Sequence, residues 1–250
     1  MEKKDQKKPA LAVQNLTKHF SGVLAIDNLS LSITQGAITS IVGPNGSGKT
    51  TLINTLSGIF KPEQGTITVQ GRTVPPLHPH DVWHHGITRT FQNTRLFEQM
   101  TVLDNVLVVL TKRSVIPSLL ETKDDTHYDQ AKQVLAATNL WEKRDQLAAN
   151  LSYGQRKLLE IARSLATDAD IYLFDEPFAG LFPKMVTVVF TILRSLKQEG
   201  KTVVLVEHDM DLIRKISDHV IVLDSGTLLA QGSPEQVLSE KSVVEAYLGQ

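Results

Sequence analysis

The sequence contains no cysteine among its 250 residues, so disulfide bonds, zinc sites built on thiolates and thiol catalysis are all excluded. It also lacks an excess of charge of either sign, because 26 Lys and Arg residues stand against 27 Asp and Glu residues. A general binder of nucleic acid or acidic lipid would carry a clear positive excess, so neither class is expected. The longest apolar runs, such as 106–110 and 203–206, fall far short of the roughly 20 residues that span a bilayer. Any role at a membrane must therefore depend on partner proteins.

The N-terminal part of the chain predicts a tail followed by strands. Residues 1–10 are mostly charged and polar and lack the apolar stretch of a signal peptide, so we expect a disordered tail. Gly22 and Asp27-Asn28 mark a turn between the first two predicted strands. The predicted strands of this part are 11–16, 29–33, 37–42 and 66–70.

The rest of the chain predicts a helical insertion and then an alternation of helices and strands. Residues 96–150 are amphipathic and helix-like, with a break at 114–118. From Tyr153 the pattern alternates, which indicates a mostly parallel sheet covered on both faces, and hence an α/β fold. The predicted elements are helices 156–165 and 184–198, strands 171–175, 202–207, 220–223 and 228–230, and a final helical stretch from Pro234.

Eight residues between a predicted strand and a predicted helix fit the pattern G-x-x-x-x-G-K-[ST], which indicates a P-loop NTPase core. They are Gly43, Pro44, Asn45, Gly46, Ser47, Gly48, Lys49 and Thr50. The glycines let backbone N–H groups converge on phosphate oxygens, and the helix N-terminus adds a partial positive charge. We expect Lys49 to contact the β- and γ-phosphates of ATP, Thr50 to bind Mg²⁺, and Thr51 to belong to the same site.

A magnesium-dependent phosphate site also needs a carboxylate at the end of a buried strand. Asp175 and Glu176 follow the apolar run 171–174. Asp175 is expected to hold Mg²⁺, directly or through water, and Glu176 to polarise the attacking water. Alone, such a sequence often marks only the point where a strand meets solvent, but the phosphate loop upstream favours the catalytic interpretation.

His208 follows the apolar run 203–206. Three predicted strands, ending near residues 42, 175 and 207, bring the loop, the carboxylates and this imidazole to one edge of the sheet. We therefore expect His208 to contact the γ-phosphate, although an isolated histidine at a strand end is more often structural. The remaining histidines show no spacing typical of metal ligands.

A second sequence pattern precedes the helix predicted at 156–165. It consists of Leu151, Ser152, Tyr153, Gly154 and Gln155. Together with the phosphate loop and the carboxylates, this Leu-Ser-x-Gly-Gln sequence resembles the signature of ABC transporter ATP-binding subunits. The resemblance implies that the signature acts in trans, on the γ-phosphate held by the phosphate loop of a second subunit. The alternative is that Ser152 is only the N-cap of a surface helix.

The resemblance covers residues 11 to about 249 and implies further roles at matching positions. Phe20 matches the aromatic residue that stacks on adenine, with a core phenylalanine as the alternative. Gln92 matches the glutamine that links Mg²⁺ and the attacking water to the helical insertion. His208 matches the switch histidine and Glu176 the catalytic base. The implied catalytic set is Lys49, Gln92, Glu176 and His208, and the implied Mg²⁺ ligands are Thr50, Gln92 and Asp175.

The resemblance also implies the domain organisation. We expect residues 11–250 to form one ABC ATPase domain with an N-terminal antiparallel β subdomain. Its core would comprise residues 11–92 and 166–250, and its inserted helical subdomain about 93–165.

One residue departs from the family pattern. After Asp-Glu-Pro, these subunits carry Gly-Leu-Asp-Pro or Gly-Leu-Asn-Pro, whereas Phe182 stands at the polar position here. The polar residue normally bonds across the dimer interface near the hydrolysis site, and a phenylalanine side chain cannot. We expect the coupling between sites or the partner geometry to differ. Glu176 and His208 are intact, so we do not infer an inactive enzyme.

Residues 86–97 and 100–106 resemble the ATPase subunits of branched-chain or hydrophobic amino-acid uptake systems, as do Tyr153, the run 207–210 and the ending 245–249. Such a system implies a second ATPase subunit (identical or different), integral membrane permease subunits and, indirectly, an external substrate-binding protein. It places the chain at the cytoplasmic face of the plasma (inner) membrane, held there by the permease. We expect the ends of segment 93–110 to receive a permease helix, while most of its apolar side chains belong to the core.

The sequence thus predicts an ATP-hydrolysing subunit that powers an importer of branched-chain or other neutral amino acids. The first alternative is the ATPase of a lipid- or lipopolysaccharide-exporting system, which shares much of this pattern. A second is a soluble ABC ATPase acting on ribosomes or DNA, although those usually carry two ATPase units, coiled coils or zinc modules. A third is a nucleotide sensor that binds ATP without turnover.

Overall fold

The computed structural model describes residues 8–90, 95–111 and 125–248. Contacts within these residues divide the chain into two compact units. The first contains the described residues up to Arg89, Asp170–Glu176 and the described residues from Leu193 onward; the second contains the remainder. The residue bounds expected for the core and for the helical insertion remain a prediction.

The strands of the described residues are, in chain order, β1 (Pro9–Phe20), β2 (Val23–Thr34), β3 (Ile38–Val42), β4 (Gln64–Val69), β5 (Arg72–Val74), β6 (Ile87–Arg89), β7 (Ile171–Asp175), β8 (Thr202–Val206), β9 (His219–Asp224) and β10 (Thr227–Gly232). The helices are α1 (Lys49–Leu56), α2 (Val102–Leu110), α3 (Asp125–Ala137), α4 (Tyr153–Ala166), α5 (Pro183–Gln198), α6 (Met210–Ile216), α7 (Pro234–Val237) and α8 (Lys241–Leu248). Short 3₁₀ helices lie at Val82–His85, Trp141–Lys143 and Ala148–Asn150.

The N-terminal strands form an antiparallel sheet in the order β2-β1-β4-β5. β1 pairs with β2 on one side and β4 on the other, and β5 pairs, within the described part of the chain, only with β4. This sheet confirms the antiparallel β subdomain expected from the resemblance. The three-residue strand β5 was not predicted, because so short a run carries no periodicity.

The tail predicted at residues 1–10 is wrong at its C-terminal end. Pro9 and Ala10 belong to β1, where Pro9 pairs with Thr34. Ala10 is only 1% exposed, because its side chain joins the apolar core. Residues 1–7 lie outside the described residues.

The turn predicted at Asp27-Asn28 is also wrong, since both residues lie within β2 and the strands turn at Ser21-Gly22. Asn28 has a φ of 44°, and Asn15 in β1 has a φ of 50°. The register between the two strands shifts on both sides of Leu16. Asparagine tolerates a left-handed backbone conformation. Asn15 and Asn28 therefore form an irregularity inside two long paired strands, at a position where the sequence predicts a turn.

The second sheet has the order β10-β9-β3-β8-β7-β6. All of its neighbours are parallel except β9 and β10, which confirms the mostly parallel core. Every residue of β3, β7 and β8 is buried, as parallel strands covered on both faces require. The strands predicted at 37–42 and 202–207 correspond to β3 and β8, each of which is one residue shorter in the structure than predicted. Strand β6 was not predicted.

One apolar core joins the two sheets to the helix that follows the phosphate loop. It contains buried side chains from β1, β3, β7, β8 and β9 together with three from α1. The α1 members are Leu52, Ile53 and Leu56, all 0% exposed. α1 is therefore fixed by packing along its length, and the loop at its N-terminus is held at both ends.

The second unit is helical, in agreement with the amphipathic pattern of residues 96–150. α2 and α3 pack on each other and on α4. α4 begins at Tyr153, earlier than predicted, because Ser152 caps it. The break predicted at 114–118 lies outside the described residues.

In the part of the chain that the structure describes, no helix combines the length and the apolar character needed to cross a membrane.

Asn105 ties α2 to the segment before it. Its side chain is 0% exposed; Oδ1 accepts from Phe97 N, and Nδ2 donates to the carbonyl oxygens of Phe97 and Thr101, all within 3.0 Å. Asn105→Ala removes all three bonds and takes away the acceptor of the Phe97 N–H, whereas the two carbonyl oxygens keep the backbone donors Met100 N and Asn105 N. We expect the free energy of unfolding to fall by about 2 kcal/mol, measured by urea denaturation.

The matched control is Val108→Ala on the same helix, where the side chain is 41% exposed. That change should cost about 0.5 kcal/mol. Equal losses for the two variants would contradict the role assigned to the Asn105 hydrogen bonds.

Candidate nucleotide-binding site

The predicted phosphate loop connects the end of β3 to the start of α1. The ammonium group of Lys49, the first residue of α1, donates to the carbonyl oxygens of Gly43 and Pro44, both at 2.8 Å. It also lies 3.4 Å from Ser47 Oγ. The lysine side chain thus folds back over its own loop, which holds a positive charge inside the turn.

Two glycines allow the loop to take this path. Gly43 has a φ of 148°, and a Cβ there would lie 2.1 Å from the carbonyl oxygen of Leu223. Gly48 is the N-cap of α1 with a φ of 98°, and its Cβ would lie 2.5 Å from the carbonyl oxygen of Ala25. Both clashes are with backbone atoms, so no rotation of a neighbouring side chain relieves them. The glycine pattern therefore reflects close packing as well as backbone conformation.

The predicted ATP-binding residues of the loop differ in exposure. The buried ones are Gly43, Pro44, Ser47, Gly48 and Lys49; Thr51 is half-buried; Asn45, Gly46 and Thr50 are exposed. Burial lowers the pKa of Lys49 from its ordinary value, and the negative charges of Glu176 and Asp175 partly offset this effect. A bound polyphosphate would favour the charged lysine further.

Asp175 is the last residue of β7 and is 3% exposed. Its Oδ2 accepts a hydrogen bond of 2.9 Å from Nη2 of Arg89, the last residue of β6. The two side chains form a buried ion pair, 6% and 3% exposed. The predicted magnesium carboxylate is thus held by an arginine to which the sequence patterns gave no role.

Glu176 follows β7 in a left-handed backbone conformation, with a φ of 50°. Such a conformation costs a residue other than glycine about 1–3 kcal/mol and tends to occur at functional sites. The Glu176 N–H donates to the Val206 carbonyl oxygen at 2.9 Å, so the end of β8 fixes it there. Its Oε1 lies 2.9 Å from Nε2 of His208. The structure therefore brings the predicted base and the predicted γ-phosphate ligand into direct contact.

Phe20 ends β1 with a side chain that is 36% exposed, so it is not a core phenylalanine. Its ring meets Phe60 edge to face, with centroids 4.8 Å apart, and the Lys18 ammonium lies 5.2 Å from the Phe20 centroid. Glu63 accepts hydrogen bonds from Lys18 and lies 2.6 Å from His19 Nδ1. The His19 contact, followed by that of Lys18, lowers the pKa of Glu63 to about 2. This cluster holds the end of β1, and with it Phe20, next to the chain that follows α1.

The oxygen donors available near the loop fit a magnesium ion. Mg²⁺ prefers carboxylate and hydroxyl oxygens together with water and substrate phosphates. Asp175 supplies a buried carboxylate whose negative charge acts on Lys49, and Thr50 supplies an exposed hydroxyl in the first turn of α1. Gln92, the third predicted ligand, lies outside the described residues.

The signature residues lie in the second unit, at the start of α4. Ser152 is the N-cap: its Oγ accepts from Gln155 N at 3.4 Å, and Gln155 Oε1 accepts from Ser152 N at 3.0 Å. This capping box accounts for both residues as a helix start, the alternative weighed from the sequence. It leaves open a further role, because Ser152 is exposed at the positive end of a 14-residue helix.

The other signature residues pack beside the loop that contains Phe182. Leu151 is buried, and a Cβ on Gly154 would lie 2.5 Å from Sδ of Met185. Tyr153 is 55% exposed, and its ring covers Gly180, where a Cβ would lie 2.8 Å from Tyr153 Cε1. Phe182 is 72% exposed. The second unit thus carries two exposed aromatic side chains: Tyr153 within the signature, and Phe182 in the loop against which the signature packs.

A sequence profile of the family described as "ABC transporter" matches residues 26–179. The chain belongs to the ABC transporter family. LivG of Salmonella typhimurium, a high-affinity branched-chain amino acid transport ATP-binding protein, is 40% identical over an alignment of 251 positions that covers 97% of this chain and 98% of LivG.

Two solved structures of ABC cassettes are also similar to this chain. The ADP conformation of an ATP-binding cassette of an ABC transporter superposes with a TM-score of 0.85 at 34% identity, covering 98% of this chain and 100% of that one. A dimeric post-hydrolysis cassette bound to ADP and phosphate has a TM-score of 0.79 at 27% identity, covering 90% of this chain and 98% of that one.

These findings confirm the predicted family, fold and activity. The chain is an ABC ATPase that binds ATP and couples its hydrolysis to transport. The roles assigned to individual residues remain predictions.

The sequence patterns missed Arg89, Phe60 and Glu63. Each acts through a contact between residues far apart in the chain, such as the 86-residue separation of Arg89 and Asp175. The available signal for Arg89 was its place in the stretch 86–97, three residues before Gln92, but that stretch indicated only a subgroup. Phe60 and Glu63 stand in a polar turn after α1, where nothing in the sequence indicates that they contact β1.

Gly43→Ala should destabilise the fold of the ABC ATPase even in the absence of nucleotide. The new Cβ would meet a backbone carbonyl at 2.1 Å in a left-handed conformation. We expect the free energy of unfolding to fall by about 3 kcal/mol or more in nucleotide-free denaturation experiments.

Gly46→Ala is the matched control, because Gly46 has a φ of 78° but no atom lies within 4 Å of the point that its Cβ would occupy. It should cost only the backbone strain, about 1–2 kcal/mol. A Gly43 variant as stable as the Gly46 variant would refute the packing argument.

Proposed function

We propose that this ABC ATPase powers the import of branched-chain amino acids. The observation that carries the proposal is the 40% identity to LivG, which extends over 97% of this chain and 98% of the relative. Similarity over the whole length includes residues 86–97 and 100–106, the stretches whose sequence indicates this subgroup. LivG is named as a branched-chain amino acid transport protein, which favours import over the lipid-exporting and soluble alternatives.

In the proposed reaction, the ATP site supplies charge and position. The Lys49 ammonium exchanges its loop carbonyls for the β- and γ-phosphate oxygens, and Phe20 stacks on adenine. Glu176 orients and activates the attacking water, while His208, in contact with Glu176, donates to the γ-phosphate. The strained backbone of Glu176 and its contact with His208 support these roles.

Thr50, Asp175 and Gln92 would hold Mg²⁺, which neutralises charge on the β- and γ-phosphates. Asp175 is suited to this task because its carboxylate is buried and already oriented by Arg89.

We further propose that each ATP is completed by the signature of a second ATPase subunit. Support comes from the dimeric state of a similar cassette and from the exposed Ser152 at a helix N-terminus. Phe182 cannot make the polar contact expected across such an interface, which favours a different second subunit whose side chain accommodates an aromatic ring. ATP binds the closed dimer more tightly than the open one, and this difference in affinity shifts the conformational equilibrium of the permease subunits. The same permease subunits hold the chain at the cytoplasmic face of the membrane.

The cargo is tested by purifying the chain with its membrane subunits and reconstituting the complex in vesicles with the external binding protein. Labelled leucine should accumulate when ATP is supplied, and labelled lysine should not. Glu176→Gln should bind ATP with unchanged affinity but lose hydrolysis and leucine uptake by about 100-fold or more.

If the reconstituted complex exports lipid in an ATP-dependent way and does not take up leucine, the proposed cargo is wrong. Unchanged hydrolysis in the Glu176→Gln complex would contradict the assignment of the base.

The trans role of Ser152 is tested with two substitutions that both preserve the helix cap. Asn and Asp are N-caps comparable to Ser, so Ser152→Asn and Ser152→Asp should unfold within about 0.5 kcal/mol of each other. Both side chains would face the γ-phosphate across the dimer, but only Ser152→Asp places a negative charge there. We expect ATP-dependent dimerisation and hydrolysis to be at least about tenfold weaker for Ser152→Asp than for Ser152→Asn, because like charges across an interface repel.

Analytical ultracentrifugation of the chain mixed with its second ATPase subunit, with and without ATP, and an ATPase assay of the pair provide both readouts. If the two variants perform equally, Ser152 does not approach a phosphate and acts only as the N-cap.

A further inference from the structure

Arg89 links two parts of the nucleotide site that are separate in sequence. Its Nη2 donates to Asp175 Oδ2 at 2.9 Å, and its Nη1 donates to Asn54 Oδ1 at 2.6 Å and to Ser57 Oγ at 2.8 Å. Asn54 lies in α1, and Ser57 is the C-cap of that helix. One guanidinium therefore joins the carboxylate at the end of β7 to the helix that begins with Lys49.

This linkage is buried and sterically defined. The Arg89 and Asp175 side chains are 6% and 3% exposed, so water does not compete for their hydrogen bonds. A guanidinium is planar and rigid, and its donors point in fixed directions. The parallel pairing of β6 with β7 places Arg89 opposite Leu173, two residues before Asp175. The carboxylate is consequently held in one orientation by both backbone pairing and side-chain bonds.

Asp175 keeps a second oxygen that Arg89 does not bind in this arrangement, since the ion pair is made through Oδ2. A carboxylate held through one oxygen presents the other with little loss of rotamer freedom when a cation binds. Groups that hold a metal ligand in this way contribute strongly to metal affinity even though they do not touch the metal.

We infer that Arg89 is a positioning residue that sets Asp175 against the phosphate-loop helix and so determines how strongly Mg²⁺ contributes to nucleotide binding. The inference rests on the proposed ATP site. It predicts that loss of Arg89 weakens the magnesium-dependent part of ATP binding and leaves the metal-free part nearly intact, because Lys49 and its loop are unchanged.

The test is a titration of a fluorescent ATP analogue into Arg89→Met and wild-type protein, in EDTA and at increasing Mg²⁺ concentration. For Arg89→Met, the Mg²⁺ concentration that gives half-maximal enhancement of binding should rise by about tenfold or more. The affinity in EDTA should stay within about twofold of the wild type. Arg89→Lys keeps the charge but cannot reach all three acceptors, so its Mg²⁺ requirement should be intermediate.

Lys197→Met is the matched control, because it also removes the cation of an ion pair in the first unit, that between Lys197 Nζ and Asp218 Oδ1 at 2.5 Å. Its Mg²⁺ requirement should equal that of the wild type. If Arg89→Met does not fold, Arg89→Lys decides the question.

The inference is overturned if Arg89→Lys and any folded Arg89→Met protein keep the wild-type Mg²⁺ requirement, or if binding in EDTA and in Mg²⁺ falls by the same factor. The second result would give Arg89 a purely structural role. Failure of the wild-type protein to bind the analogue at all would instead contradict the proposed ATP site.

Discussion

The nucleotide site depends on keeping the Lys49 ammonium charged although it is buried inside its own loop. Two loop carbonyls at 2.8 Å replace the water that the ammonium loses. Burial still lowers the lysine pKa, and the charges of Glu176 and Asp175 oppose that shift. The loop can surround the side chain only because the backbone of Gly43 passes against Leu223 without a Cβ. A site with these properties is prepared for an anion before the anion arrives.

The remaining polar groups of the site follow from the ends of adjacent parallel strands. β7 ends at Asp175 and β8 ends beside it, where the Val206 carbonyl oxygen fixes the strained backbone of Glu176. Arg89, at the end of β6, neutralises Asp175 and ties it to α1. The buried Arg89 and Asp175 charges thus face each other, and the buried Lys49 ammonium is opposed by the negative charges of Glu176 and Asp175, so neither cation lies in the site without nearby negative charge.

The sequence predicts the loop, the carboxylates and the parallel sheet well, because each is a local pattern with a direct physical cause. Glycine spacing dictates the loop, and apolar runs such as 171–174 dictate buried strands. The patterns fail where a structure depends on distant partners. β6 is three residues long and exists through its pairing with β7, so neither it nor the role of Arg89 was predicted. The prediction of a turn at Asp27-Asn28 was wrong because β2 stays paired with β1 through a register shift, in spite of the left-handed backbone of Asn28. Phe182 was recognised as unusual, and its 72% exposure shows that no fold requirement explains it.

The most direct test of the account is a calorimetric comparison of ATP, ADP, AMP and adenosine binding to the purified chain in the presence of Mg²⁺. If the loop around Lys49 is the main source of affinity, the nucleotides that carry a β-phosphate should bind at least about 100-fold more tightly than AMP or adenosine, since charge-assisted hydrogen bonds to that phosphate are lost in the latter two. AMP or adenosine binding as tightly as ATP would contradict the account, because affinity would then come from the base and not from the phosphate loop.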